Sequence, residues 1–377
     1  MMYFDQSATS LHKPPEVTEA VLRALTGGYG NPARGAHQAA NQALKALARA
    51  RRSLAAYFGV NPLDIAFAAN ATMALNQAIK GALGAGDRVL TTGLAHNATL
   101  RPLYQMQARG MGLDLLPLGP DGGYTIRDLK QALRPDTSAL CINAMSNVSG
   151  FTAPLPEIAA LCVEKDLLLI LDLSQYAGTR ALPQVPRWPR SLMAFTGHKS
   201  LYGPQGVGGL IKRGDIPLAP LLSGGSGVHS FLKEQPATYP EVCEAGTLNL
   251  PGILGLQAGV DWLMQQGQAA VSARLSALRQ QFVAGLEQLT GVDVYEGGPD
   301  PGPVVALNMR GMDAAEVSQV LDEDHGIMTR AGAHCAPLWH QAMGTETRGA
   351  VRFSFSLFNT EDEVDRALFA LKAIAGG

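Results

Sequence analysis

The sequence predicts an α/β fold, with a mainly parallel seven-stranded sheet between helices in a large domain and a smaller α+β domain at the C-terminal end. Two observations predict it. Between about residue 60 and residue 212, short apolar runs alternate with amphipathic stretches, the pattern of strands joined by crossover helices. Beyond Gly252 the order changes to one long helical stretch and then strands interleaved with helices. At 377 residues and 46% hydrophobic content, the chain can bury more than one ordinary core and a cofactor as well.

Strands are expected at Ile65–Ala68, Arg88–Thr92, Leu113–Leu116, Ala139–Asn143, Leu167–Leu171, Leu192–Phe195 and Val207–Ile211. Helices are expected at Gln38–Tyr57, Met73–Leu83, Ala98–Ala108, Ile126–Leu133 and Pro156–Lys165, the first carrying Ala and Leu at three- and four-residue spacing. The long helical stretch runs from Gly252 through Glu287. It leads to strands near Val304–Met309, Met328–Arg330 and Val351–Ser356, with helices near Asp313–Asp322 and Thr360–Ala375. Residues 15–255 are assigned to the large domain. Residues 256–377, joined by the N-terminal segment 1–14, form the small one, with the border inside a helix.

A formal charge of -2, from 30 basic and 32 acidic residues, gives no overall field to recruit nucleic acid or an anionic membrane. The first residues lack the basic and apolar parts of a leader, and no apolar run approaches the roughly 18 residues of a membrane span. A cytoplasmic location is expected. Cys141, Cys162, Cys243 and Cys335 are scattered without C-x-x-C spacing, which predicts neither a metal site nor a disulfide framework.

Asp172 ends the apolar run Leu167–Leu171, the place where open α/β sheets present ligand groups. A carboxylate there needs a partner; a protonated pyridine nitrogen is one, and a helix N-terminus is another. One strand later stands Thr196-Gly197-His198-Lys199, followed by a glycine-rich turn. Buried, Lys199 becomes a nucleophilic amine; exposed, it is a turn lysine. Asn70-Ala71-Thr72 lies between a strand and a helix and reads as a phosphate cup or as a plain cap. His96 follows a strand and suits either stacking on a ring or an ordinary loop. Arg352, on the strand Val351–Ser356, could clamp a carboxylate or form a structural ion pair, and Arg330 precedes the segment that carries Cys335. Cys335, in Gly332-Ala333-His334-Cys335-Ala336-Pro337, reads as an accessible thiolate or as packing.

These residues, in this order, resemble the class V aminotransferase family of pyridoxal phosphate (PLP) fold type I enzymes, and within it the cysteine desulfurase and selenocysteine lyase branch. The resemblance runs from Phe4-Asp5-Gln6-Ser7-Ala8-Thr9 and Gly30-Asn31-Pro32-Ala33-Arg34-Gly35-Ala36-His37 to Arg352-Phe353-Ser354 and Asn359-Thr360. It implies PLP as cofactor, Lys199 as the Schiff-base lysine, Asp172 as partner of the pyridine nitrogen and His96 as the ring-stacking residue. Asn147 and Gln175 would lie beside the ring and its 3-oxygen. Ala71, Thr72, Thr196 and His198 would hold the phosphate, and Thr247 would supply a phosphate ligand to the partner subunit of a homodimer. Arg352, with Arg330 and Asn147, would hold the substrate carboxylate, and Cys335 would accept sulfur from cysteine, leaving alanine, before passing it to an acceptor protein.

The sequence departs from the family pattern at Ala95, before the stacking histidine, at Asn70 and Met73 in the phosphate loop, and at Ala333, where a second histidine is common. These departures bear on substrate and rate rather than on PLP binding. A selenocysteine lyase, an aminotransferase or β-lyase, and a sulfur carrier that has lost catalysis remain open. Ser223–Ser230, rich in glycine, is expected as a mobile loop at the mouth of the site, with His229 able to meet substrate.

Overall fold

Parallel pairing organises the first two-thirds of the chain in a computed structural model that describes residues 1–32 and 35–376. Ala33 and Arg34, inside the motif Gly30–His37, and the final Gly377 lie outside the described residues. Strand β1 (Met2–Tyr3) and helices α1 (Pro15–Thr26) and α2 (Gln38–Phe58) come first. Strands and helices then alternate: β2 (Ile65–Ala68), α3 (Ala71–Ala82), β3 (Arg88–Thr92), α4 (Asn97–Gln107), β4 (Gly112–Leu116), α5 (Ile126–Ala132), β5 (Ala139–Asn143), α6 (Leu155–Glu164) and β6 (Leu168–Asp172). Strands β7 (Ser191–Thr196) and β8 (Gly208–Arg213) complete a seven-stranded sheet of order β2-β8-β7-β6-β5-β3-β4. Only β8 runs antiparallel to its neighbours β2 and β7, so the sheet is mainly parallel, as the sequence predicts.

The central strands β5, β6 and β7 are buried along their whole length, which is why they read as unbroken apolar runs. Their side chains still alternate between two cores. Leu169, Leu171, Met193 and Phe195 join the larger one, while Ile170, Leu192, Ala194 and Cys141 pack on the other face with Ala74, Leu75 and Ile79 of α3. Continuing that period of two places Asn143, Asp172 and Thr196 on the α3 face at the ends of three adjacent strands.

The remainder comprises α7 (Leu250–Gln266), α8 (Gln268–Leu286), β9 (Val292–Tyr295), β10 (Val304–Met309), α9 (Ala314–His325), β11 (Ile327–Met328), β12 (Arg330–Gly332), α10 (Pro337–Met343), β13 (Ala350–Ser354) and α11 (Glu361–Gly376). Strands β12-β13-β10-β9 form an antiparallel sheet, and β11 pairs in parallel with β1. Helix α7 packs on α1 and α2.

Several expected elements change. The single helix expected from Gly252 to Glu287 is two, broken at Gly267, whose φ of +79° helical residues do not adopt. The strand expected near Met328–Arg330 divides at Thr329, with β11 and β12 entering different sheets. Helices α1 and α10 and strand β9 add to the expected set. Helix α1 shows only three small buried side chains, Val17, Ala20 and Ala24, and α10 spans seven residues, so neither carries a long periodic signal.

Candidate active site

The ends of β5, β6 and β7 open into a cleft beneath the N-terminus of α3, lined by Asn143, Asp172, Thr196 and Lys199 among others. Asp172 is buried. Its Oδ1 accepts the Ser174 N–H at 2.9 Å and the Ser174 hydroxyl at 2.5 Å, while Oδ2 has no hydrogen-bond donor among the described residues. A buried carboxylate anchored through one oxygen leaves the other for a cationic or N–H partner.

Lys199 sits in the loop that reverses β7 into β8. The loop is tied by Gly197 N–H to Val207 O, Gly203 N–H to Gly197 O and Tyr202 N–H to Lys199 O. Burial lowers the Lys199 pKa to about 8; Asp172 and Asp5 act the other way, and Arg352 and Arg330 reinforce the lowering. The amine therefore has a substantial neutral fraction near neutral pH, which a carbonyl-attacking group requires. Gly178, with φ of +89°, lets the turn after Asp172 lie against this loop, because a Cβ there would come within 2.0 Å of Ser200 O.

Asn70 caps α3 by accepting the Met73 N–H at 2.9 Å. The N–H groups of Ala71 and Thr72, at the first turn, have no intrahelical acceptor and border the cleft. Thr196 Oγ1, His198 Nδ1, Asn147 Oδ1 and Asn143 Oδ1 are all buried without a hydrogen-bond partner, and all four residues line the cleft. Burial holds the His198 pKa down at about 4, with Lys199 and Lys13 adding to the effect, so its ring is neutral at neutral pH. His96 caps α4, its Nδ1 accepting the Ala98 N–H at 3.0 Å. Burial pushes its pKa down as well, and the remaining proton belongs on Nε2.

The chain between β12 and α10 presents Cys335. His334 and Cys335 both have positive φ, 48° and 56°, and two hydrogen bonds pin this turn to the cleft. The Asn97 N–H donates to Cys335 O at 2.8 Å, and Asn147 Nδ2 donates to His334 O at 2.7 Å. Cys335 is exposed; Cys141 and Cys162 are buried and Cys243 is half-buried. Arg352, 1% exposed, donates to Asn147 O at 3.1 Å and to Asp5 Oδ1 at 2.5 Å. Arg330 stands opposite it in the β12–β13 ladder.

The sequence-predicted residues Ala71, Thr72, His96, Asn147, Asp172, Gln175, Thr196, His198 and Lys199 thus line one cleft. Cys335, Arg330 and Arg352 join its rim through the contacts above. Thr247 does not line it. It is exposed, and it borders a separate hollow with Met73 and Gly206. Ser226 and Val228 of the expected mouth loop instead border another hollow with Leu44 and Leu47 of α2, and His229 is exposed and lines neither space. Sequence reasoning missed Asn143, Met145, Ala98 and Ser174 as lining residues. The rule that selects Asp172, a polar residue at the end of a buried strand, also selects Asn143.

The class V aminotransferase profile matches residues 2–367. The chain belongs to the class V aminotransferase family. A protein of Mycobacterium leprae called probable cysteine desulfurase 2 is 34% identical to it, over 97% of this chain and 90% of that protein. A cysteine desulfurase of Haloferax volcanii is 29% identical, over 99% and 89%. Among solved structures, the apo cysteine desulfurase of Thermococcus onnurineus superposes with a TM-score of 0.92 at 27% identity, covering 100% of this chain and 95% of that one. The Escherichia coli cysteine desulfurase CsdA, in its S-sulfonic acid form, gives 0.87 at 25% identity, over 98% and 94%.

Membership of this family makes the chain a PLP-dependent enzyme of fold type I acting on an amino acid. The cleft fits the cofactor. It offers a partly desolvated amine, one buried carboxylate with an available oxygen, and unpartnered hydroxyl, imidazole and helix N–H groups suited to a phosphate. No helix among the described residues is long and apolar enough to cross a membrane.

Proposed function

We propose that this chain is a cysteine desulfurase that removes sulfur from L-cysteine, gives L-alanine and leaves the sulfur as a persulfide on Cys335. The observation that carries this reading is the Cys335 turn. Its cysteine is exposed, and both residues of its left-handed pair have their carbonyls bonded, His334 O to Asn147 of the cleft and Cys335 O to Asn97, which lies between the cleft residues His96 and Ala98. A packing cysteine has no need of such presentation.

PLP, when bound, supplies an electron sink for the negative charge that develops at the substrate Cα. Lys199 would anchor it, and its released amine would be placed to take the Cα proton. Asp172, held by Ser174, would keep a proton on the ring nitrogen. His96 would stack on the ring. Asn147 and Gln175 would lie toward its 3-oxygen, although the Gln175 amide donates here to Ser7 O at 3.0 Å. Ala71, Thr72, Thr196 and His198 would hold the phosphate. Arg352, with Arg330 and Asn147, holds the substrate α-carboxylate. The Cys335 thiolate would then attack the substrate sulfur: the new S–S bond forms as the substrate C–S bond breaks, the electron pair left at Cβ takes a proton, and the Lys199 ammonium returns the proton to Cα so that alanine can leave.

The enzyme works as a cytoplasmic homodimer in which Thr247 reaches the partner's phosphate site, and it passes sulfur to an acceptor protein. The exposure of Thr247 outside its own cleft supports the first point, and four unpaired cysteines agree with a reducing compartment. The chain divides into residues 15–255 and residues 256–377 with 1–14, the border falling within α7. Cys335→Ser tests the activity. It should retain PLP absorbance and lose release of alanine and sulfide from cysteine. Normal desulfurisation by that variant, or a keto acid as product, would refute the reading.

A further inference from the structure

The Arg352 guanidinium already holds a carboxylate. Its NH2 group donates to Asp5 Oδ1 and its NH1 group to Asn147 O, while its Nε is buried without an acceptor. The backbone delivers Asp5 to this position. On one side Phe4 N–H bonds Met328 O and Ser354 N–H bonds Phe4 O; on the other, Ser7 N–H bonds Ser354 Oγ at 2.9 Å. The Tyr3 hydroxyl shares its one proton between Thr9 O at 2.7 Å and Asp5 O at 3.0 Å. Beyond Asp5 the segment runs to the lysine loop, where Ser10 N–H meets His198 O at 2.7 Å. Asp5 therefore belongs to a strap that joins the arginine to the neighbour of Lys199.

Of the pair, Arg352 is the enclosed member and Asp5 the more accessible one, with side-chain exposures of 1% and 18%. A guanidinium so enclosed needs an anion whether or not substrate is bound. Arg330, opposite it, adds a like charge that raises the need.

We propose that Asp5 is an internal stand-in for the substrate carboxylate: it neutralises Arg352 between turnovers, and an incoming α-carboxylate displaces it. This rests on the reading of Arg352 as the substrate carboxylate site. The exchange keeps the buried cation paired throughout. It also makes Asp5 a competitor that weakens amino-acid binding and speeds product release.

The test titrates the holoenzyme with sodium propanoate, a carboxylate without an amine, by calorimetry. Asp5→Asn should bind it about tenfold more tightly, the factor that losing one charge-assisted competitor implies. Asp5→Glu should stay near the wild-type affinity. With L-cysteine, Asp5→Asn should lower KM without raising kcat. Equal or weaker propanoate binding by Asp5→Asn overturns the proposal, because Asp5 would then only orient Arg352. Arg352→Gln separates the two claims. Retained propanoate binding in that variant refutes the carboxylate role of Arg352, whereas lost binding there with unchanged affinity in Asp5→Asn refutes the exchange alone. Should Asp5→Asn not fold, hydrogen exchange on the wild-type holoenzyme decides. Propanoate should speed exchange at the Ala8 and Thr9 amides, which bond Asp5 O, and unchanged or slower exchange there overturns the proposal.

Discussion

Capture of PLP by the apoprotein should follow the deprotonation of Lys199, and Asp172→Asn should shift that dependence. Burial lowers the Lys199 pKa from 10.5 to about 8, against the opposing influence of Asp172. At pH 7 about a tenth of such an amine is neutral, against roughly three parts in ten thousand for a solvated lysine. The protein thereby gains a roughly 300-fold larger fraction of nucleophile from the environment of one side chain. Stopped-flow absorbance with excess PLP reads the rate directly, and the wild type should reach half its maximum near pH 8. In Asp172→Asn the anion that favours the ammonium form is gone, so the midpoint should move to lower pH while turnover of cysteine falls steeply. The folded apoprotein should also gain stability as pH rises from about 8 to 10.5, since in that window the unfolded chain holds the lysine proton and the folded chain does not. A midpoint near that of a solvated lysine, or an upward shift in Asp172→Asn, would refute the reasoning.

Gly178→Ala should lower stability by about 2–5 kcal/mol, combining a left-handed backbone penalty with overpacking against Ser200 O, and should weaken PLP affinity; denaturant titration and cofactor titration check both. Glu244→Gln should cost about 3 kcal/mol in a denaturant midpoint assay, because Glu244 accepts two bonds from buried Arg51 and one from Phe67 N–H. Asn147→Ala should free the His334–Cys335 turn. It should change the rate at which iodoacetamide alkylates Cys335 while the absorbance of PLP bound at Lys199 is retained, and an unchanged alkylation rate would show that the 2.7 Å bond to His334 O does not hold the turn.

Much of this site was legible because the chemistry lies at strand ends. Asp172 interrupts an apolar run, and Lys199 follows the next strand, so their order along the chain maps onto adjacent strands of one sheet. The start of α3 at the cleft was legible for the same reason, as a polar triplet between strand and helix. The contacts between distant segments were not. Asp5 meets Arg352 across 347 positions, and the pinning of Cys335 by Asn97 and Asn147 depends on how the small sheet docks on the large one; no local pattern encodes either. The division at Thr329 was hidden because β11 and β12 are two and three residues long, too short for alternation to mark a change of sheet. Gly267 was a visible break signal within the long helical stretch, but glycine alone does not distinguish an interrupted helix from a continuous one.

The central claim is tested most directly by where the sulfur goes in one turnover. Holoenzyme mixed with L-cysteine without reductant, then digested and weighed by mass spectrometry, should yield alanine and one added sulfur atom on the peptide containing Cys335. Alanine formed with that peptide unmodified would contradict the account.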